Sequence, residues 1–431
     1  MNKPGLKWIG TAAAACVLAY ASIASADTIV PVDRGPNTLQ SADARNDDVL
    51  TRPRPDYDAK GLPLGAFRLF PTLTLGVSSD DNIFRQTTSE DSDVIYGITS
   101  RVVLKSTWSR HYFELHGGTD TSIYGKHSSE NVTNWNAGTS GRVDVQRSLT
   151  IFGDADYYSD HEDRSSPDSP GFAAEPTALR KIYTATSIRY QPNRLILSAG
   201  ASFDRFEYDP VALIGGGSVD NSDRDRNRYS FFAKASYEFS PGTAAFLRVG
   251  YEDRKFDDTF DRSGFQRDSN GYAIDAGVDM LFGHLIRGRA FVGYLNQRYI
   301  APLPDVSGFD FGAQLDWYVT PLTTLRLLAS RQINDTTIFG ASAEDDRRVS
   351  LVIDHELLRN VLLHGDVGYT DGKFEGAGRV DHTVNAKAGV KYLLNRYLSA
   401  DAYYAYRNRN SDTPTGDYTD STFGINITGH L

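Results

Sequence analysis

The sequence predicts an all-β protein, a transmembrane antiparallel up-and-down β-barrel of about 18 strands with short turns at one rim and long loops at the other. Three observations predict it. Apolar and polar residues alternate in segment after segment from Phe67 to Leu431. The connections between these segments alternate in length. The face opposite each apolar stripe carries charge on strand after strand, which a second packed sheet would not tolerate.

Residues 1–26 read as a secretory signal peptide. Lys3 and Lys7 precede the apolar run Trp8 to Ala26, which ends in Ala24-Ser25-Ala26, and cleavage is expected after Ala26. Cys16 lies midway along that run with Val-Leu-Ala-Tyr still to come, which argues against a lipoprotein cysteine. Beyond residue 26 the chain holds 43 Lys and Arg against 55 Asp and Glu, and no cysteine. A secreted chain without cysteine is not a disulfide scaffold. Its net negative charge, with no long basic run, argues against nucleic acid as a partner. Mean hydropathy is slightly negative, which excludes a bundle of membrane helices.

Residues 27–62 lack alternation and are rich in Pro, Asp and Asn, so they are expected to form an irregular or flexible periplasmic arm. The barrel is expected over 63–431. In the first strand Phe67, Leu69, Pro71, Leu73, Leu75 and Val77 share one face against Arg68, Thr72 and Thr74. The same pattern sets Tyr229 to Phe239 against Ser230, Lys234 and Glu238. It recurs over Tyr272–Phe282, Phe309–Val319 and Val384–Tyr392.

Tight turns centre on Ser109-Arg110, Gln146-Arg147, Pro192-Asn193, Pro241-Gly242, Gly283-His284, Pro321-Leu322, Arg359-Asn360 and Asn395-Arg396. Longer polar stretches, such as 159–178, 206–226, 254–269, 333–346 and 408–418, lie between them. Eight tight turns alternating with nine longer loops give 18 strands. Aromatic residues near the ends of the apolar stripes suit lipid-facing girdles. The last strand alternates Phe423, Ile425, Ile427 up to the final Leu431.

A barrel of this size leaves room for water. The register places Arg68, Arg142, Asp154, Lys234, Arg248, Asp275, Asp279, Arg289, Asp316, Arg326, Asp354 and Lys387 on the lumen face. Both signs are mixed, so no single-charge filter is expected. Phe152, Tyr183, Phe246, Phe291, Tyr318 and Tyr403 also point inward. Rings beside carboxylates and guanidiniums suit sugar stacking as a group, although each ring alone is better explained as filling the lumen or packing beneath an inward-folded loop. The nine histidines show no metal-ligand spacing, and no nucleophile elbow, phosphate loop or dinucleotide fingerprint is present in a fitting context. The sequence therefore calls for no catalytic set, metal or cofactor. Acidic runs at Asp160-His161-Glu162-Asp163 and Asp220-Asn221-Ser222-Asp223 suit divalent cations near lipopolysaccharide, or simply stay solvated.

One stretch is more specific. Arg52-Pro53-Arg54-Pro55-Asp56-Tyr57-Asp58, then Gly61, Gly65, Phe67 and Pro71, and finally Asp80-Asp81-Asn82, resembles the entry segment of the type-2 β-barrel porin family of Gram-negative outer membranes. That family includes barrels encoded with exopolysaccharide and capsule genes. The resemblance implies an outer-membrane channel passing a polysaccharide chain, acting with a periplasmic polysaccharide-export protein. A general or solute-specific diffusion porin is the alternative, and a structural or adhesin-like barrel the third reading. Read physically, Pro53 and Pro55 force extension, Gly61 and Gly65 allow tight turns, and Tyr57 and Phe67 anchor the arm at the rim.

Overall fold

The computed structural model describes residues 48–431 apart from His284; the signal-peptide reading and most of the arm lie outside the described residues. Eighteen long strands form one closed antiparallel sheet. The first six are β1 (Phe67–Asp80), β2 (Asp93–Ser106), β3 (Tyr112–Tyr124), β4 (Val132–Gln146), β5 (Leu149–His161) and β6 (Ala178–Tyr190). They are followed by β7 (Leu195–Tyr208), β8 (Arg226–Ser240), β9 (Thr243–Phe256), β10 (Ser269–Phe282), β11 (Ile286–Tyr299) and β12 (Val306–Thr320). The last are β13 (Thr323–Asp335), β14 (Ala343–Leu358), β15 (Val361–Glu375), β16 (Arg379–Leu393), β17 (Leu398–Ser411) and β18 (Tyr418–His430). Each strand pairs with its sequence neighbours, and β1 closes the barrel on β18.

The eight tight connections fall between the strands that the sequence assigns to them. The long loops are each shorter than the polar stretches suggest. Arg226, Arg254, Ile333 and Arg409, for example, all lie within strands. The reason is physical: above the membrane the outer face no longer has to be apolar, so alternation fades while the hydrogen-bonded ladder continues. One connection on the long-loop side is itself tight, the three residues 376–378 between β15 and β16.

Two aromatic girdles bound the lipid-facing band. At the short-turn rim Phe67 meets Trp108 and Phe113 edge-on, with ring centroids 5.5 and 6.4 Å apart. At the other rim Trp135 lies beside Tyr157 and Phe203 beside Tyr229. Leu73, Leu75, Leu247, Ile274 and Val367 occupy the exposed band between them. An apolar band exposed on this scale needs lipid rather than water.

The stretch that carries the family resemblance fastens the closing seam from both ends. At the loop rim Asn82 is fully buried. Its amide donates to the carbonyls of Gln86 and Thr419 at 2.8 and 2.9 Å and accepts from the Gln86 N–H. Asp81 accepts from the Ser421 N–H at 2.7 Å, and Arg85 bridges Asp80 and Asp420, 3.0 Å from each. At the turn rim Leu62–Leu64 forms a short hairpin with the start of β1, with Gly65 at its turn at φ +60°. Gly61, at φ +69°, lies beneath the Phe70 ring, where a Cβ would come within 2.6 Å.

Replacing Asn82 with Ala leaves the Thr419 carbonyl at the start of β18 and the Gln86 carbonyl in the β1–β2 loop without their donor at the seam. It is expected to lower barrel stability by about 2–3 kcal/mol. The temperature at which unboiled protein loses its folded mobility on detergent gels measures this. An unchanged temperature would show that the seam holds without the Asn82 amide.

Candidate functional site: the lumen and the three segments that enter it

Burial and ladder register place all twelve sequence-predicted charged residues on the face opposite the lipid-facing stripes. They are not a uniform solvated wall. Along β2–β4 the inner face is open: Arg101 and Asp120 are each 43% exposed and Arg142 keeps partial access. Along β8–β12 it is tightly packed. Arg248 binds Asp275 at 2.8 Å, and Lys234 binds Asp279 at 2.7 Å. Arg289 joins Asp279 at 2.5 Å, and Arg326 meets Asp316 at 2.6 Å. Asp354 holds His364 at 2.7 Å. Arg68 donates to the Lys60 carbonyl at the rim. Asp154 and Lys387 likewise face inward and have partners of their own.

The inward rings differ from the sugar-stacking expectation. Phe246 lies directly across from Gly277, Phe291 from Gly312, Tyr403 from Gly424 and Phe232 from Gly200. A Cβ on any of these glycines would come within 2.4–2.5 Å of the ring. Each ring therefore sits against its neighbour's backbone, a way of covering strand glycines that otherwise leave a hole. Cations also sit over three of the rings: Lys234 is 4.3 Å from the Phe246 centroid, Arg248 4.4 Å from Phe291 and Lys387 4.6 Å from Tyr403. Rings engaged by a glycine backbone and by a cation are poor platforms for a sugar. Phe152, Phe246 and Tyr318 are buried, and Tyr183 is half-buried under Lys181.

The lumen is narrowed by three segments, none of which alternation could reveal. The first is the β5–β6 loop, 162–177. Glu162 pairs with Arg224 at 3.0 Å, and Arg164 with Glu130 at 2.5 Å. Ser165 takes Arg409 on its carbonyl at 2.7 Å. Asp168 accepts from Thr336 and Thr337 at 3.0 and 2.8 Å. The loop thus leaves the wall at β5 and is tied to β17, six strands away, and to the β13–β14 connection. Two residues of the acidic runs are paired with guanidiniums, Glu162 with Arg224 and Asp223 with Arg262 at 2.9 Å, and Asp163 lies in the field of Arg407 and Arg85. Glu162 and Asp223 thus differ from both the cation-site and the solvated-loop expectations, whereas Asp220 is exposed.

The second segment is the loop-side end of the β13–β14 hairpin. The β12–β13 ladder stops at Gly312–Ser330. Beyond it, Ile333 and Ala343, which share the face of lipid-exposed Leu327 and Val349, are fully buried against Ala273, Leu295 and Val306. Ala273 and Leu295 are inner-face residues, since their neighbours Ile274 and Tyr294 face lipid. The hairpin end therefore slides inside the β10–β12 wall. Arg254, wholly buried, fixes it by binding Asp335 at 2.6 Å and the Ile333 carbonyl at 2.7 Å. Arg331 plugs the wedge between the parted strands, binding Asp345 and the Phe309 carbonyl.

The third segment is the chain entering the barrel, where residues 48–58, the described part of the expected irregular or flexible arm nearest its end, are seated in the turn-rim mouth. Asp48 binds Arg326, Arg54 binds Glu356 at 2.7 Å, and Val49 is buried against Leu362 and Leu393. Pro53 is extended, but Pro55 opens a single helical turn, with the Tyr57 and Asp58 N–H groups both donating to the Arg54 carbonyl. Pro is well placed there because the first position of a turn needs no donor.

A closed 18-stranded sheet with a lipid-facing band and a charged, partly filled lumen defines an outer-membrane barrel channel. The chain belongs to the family described as "Putative beta-barrel porin 2", whose match covers residues 54–431. No curated relative matches it. Among solved structures it is similar to Pseudomonas aeruginosa OccK2 (OpdF), at 12% identity and TM-score 0.46 over 85% of this chain and 99% of that one. It is also similar to Pseudomonas aeruginosa OpdO (12%, 0.44, 85% and 98%) and Acinetobacter baumannii OccAB4 (11%, 0.43, 84% and 98%). These likenesses concern the barrel architecture alone.

Two predictions follow from this geometry. Gly312→Ala, which drives a methyl into the Phe291 ring, should cost about 1–3 kcal/mol. Adding Phe291→Leu should recover most of that loss in the same gel-shift melting assay. A single variant as stable as wild type would show that the ring does not need the glycine.

The second prediction concerns pH. Burial alone would raise the Asp163 carboxyl, but Arg407, Arg85 and the Ser165 hydrogen bonds outweigh it and hold it below the usual range. A depressed carboxyl contributes its stability above the unfolded value, and loses it as pH falls through the folded one. The loop seat should therefore persist from pH 8 to 5 and loosen only below about pH 4. Protease cleavage within 162–177 across that range tests this, and loosening already at pH 6 would remove Asp163 as its anchor.

Proposed function

We propose that the chain is a diffusion porin for small polar solutes, the alternative reading of the sequence rather than polysaccharide export. The observation that carries this reading is the β5–β6 loop tied across the lumen, Ser165 to Arg407 and Arg409 of β17 and Asp168 to Thr336 and Thr337. A fixed bar across the bore suits the passage of small molecules and opposes the sliding of a polymer chain. The rings proposed for sugar stacking support it too, since three of them are engaged by a neighbouring glycine backbone and a cation. The open arc along β2–β4 then forms the path. Paired charges of both signs there (Arg101 with Asp120, Lys105 with Glu114 at 3.5 Å) favour solutes that are zwitterionic or carry little net charge. Outer-membrane lipid and lipopolysaccharide surround the girdled band.

Purified protein in planar bilayers should conduct small ions. Polyethylene glycols of rising mass should block entry at a sharp, low cutoff. Arg407→Ala combined with Arg409→Ala, which frees the loop from β17, should raise the cutoff and the conductance by roughly twofold. Deleting the gene should leave secreted polysaccharide unchanged. Loss of surface polymer on deletion, restored by complementation, would instead return the weight to polysaccharide export.

A further inference from the structure

We infer that residues 48–58 are a built-in plug that closes the turn-rim mouth and must leave for the pore to open fully; this rests on the porin reading above. The contacts are reciprocal in charge. The segment supplies an acid, Asp48, to a wall base, Arg326, and a base, Arg54, to a wall acid, Glu356. Arg52 adds a second cation to Glu356 at 3.5 Å.

The receiving wall is apolar where it meets the segment. Leu362 and Leu393 point inward on adjacent strands, and they close over Val49, which is 1% exposed. Two leucines facing a watery lumen are costly unless something covers them. The Val49 N–H also donates to Thr324 at 3.3 Å, and the Arg54 guanidinium donates to the Val49 carbonyl at 2.7 Å, which cross-braces the segment. The wall thus carries a matched receptor for this stretch of its own chain.

The seat is also separable from the barrel. The strands pair with one another throughout, and residues 48–58 contribute no ladder hydrogen bond. The segment is held by side-chain ion pairs, an apolar insertion, and hydrogen bonds to the Thr324 hydroxyl and to the Pro321 carbonyl in the β12–β13 turn, none of them part of the ladder. Such a seat can be vacated without breaking the sheet.

The test is single-channel conductance of the full chain against Arg54→Glu and against Arg54→Glu with Glu356→Arg, with chymotrypsin cleavage after Leu50 or Tyr57 as an independent readout of release. Wild type should show a small or intermittent conductance. Arg54→Glu should be severalfold more conductive and cut rapidly at these sites, and the charge-swapped double variant should return both readouts towards wild type. Equal conductance in all three, with Arg54→Glu cut rapidly, would overturn the plug and leave the porin reading standing. Protection from chymotrypsin at these sites in Arg54→Glu would overturn the ion pair as the latch. Silence in every form, including one lacking residues 27–58, would overturn the plug and the porin reading together.

Discussion

Everything in this structure depends on one constraint: in lipid a strand edge cannot be left open. Each unpaired N–H or C=O in hydrocarbon costs several kcal/mol, so the first strand has to find the last. β1 and β18 are separated by almost the whole chain, and their pairing closes a loop with a large entropy cost. The chain meets that cost with side-chain fastenings at both ends of the seam. Asn82, Asp81 and Arg85 tie the loop rim, while the Gly61–Phe70 contact and the short hairpin at Gly65 shape the turn rim. The residues that carried the family resemblance are these fastenings.

A closed sheet then poses the opposite problem, a wide interior. Charged side chains must be satisfied there, and strand glycines leave gaps in the wall. Both are answered by the same units. A ring covers a glycine on the next strand, a cation covers the ring, and a carboxylate such as Asp275 or Asp279 holds the cation. Lys234 and Arg248 lie directly opposite each other in the ladder, an arrangement that is repulsive alone. The two aspartates and two rings make it tolerable. The aromatic residues that looked like a ligand surface are thus part of the wall's own construction.

How much of this was legible in the sequence follows from where periodicity is enforced. Lipid imposes strict alternation, so the strand number, the eight tight turns and the inward positions could be read from Leu73, Ile274 or Val367 and their polar neighbours. Outside the membrane nothing imposes it. Arg226, Arg254 and Ile333 therefore read as loop, though they sit in strands and organise the narrowed end. The seating of Val49 against Leu362 and Leu393 joins positions about three hundred residues apart and has no local signal. Two inward leucines on adjacent strands were the only hint. Glycines at inward positions opposite aromatics could have flagged the covered rings, but only once the pairing of neighbouring strands was known.

The overlap of the β13–β14 end behind the β10–β12 wall changes the geometry of the whole tube. In an ordinary barrel, bore is tied to strand number, because the perimeter is the sum of the inter-strand spacings. Here two strands leave the perimeter partway up without leaving the sheet. The circumference counts every strand at the turn rim and fewer at the loop rim. The protein is thereby a tapered vessel cut from a cylindrical pattern, and the degree of taper is set by how far along β12 and β13 the ladder runs before it parts.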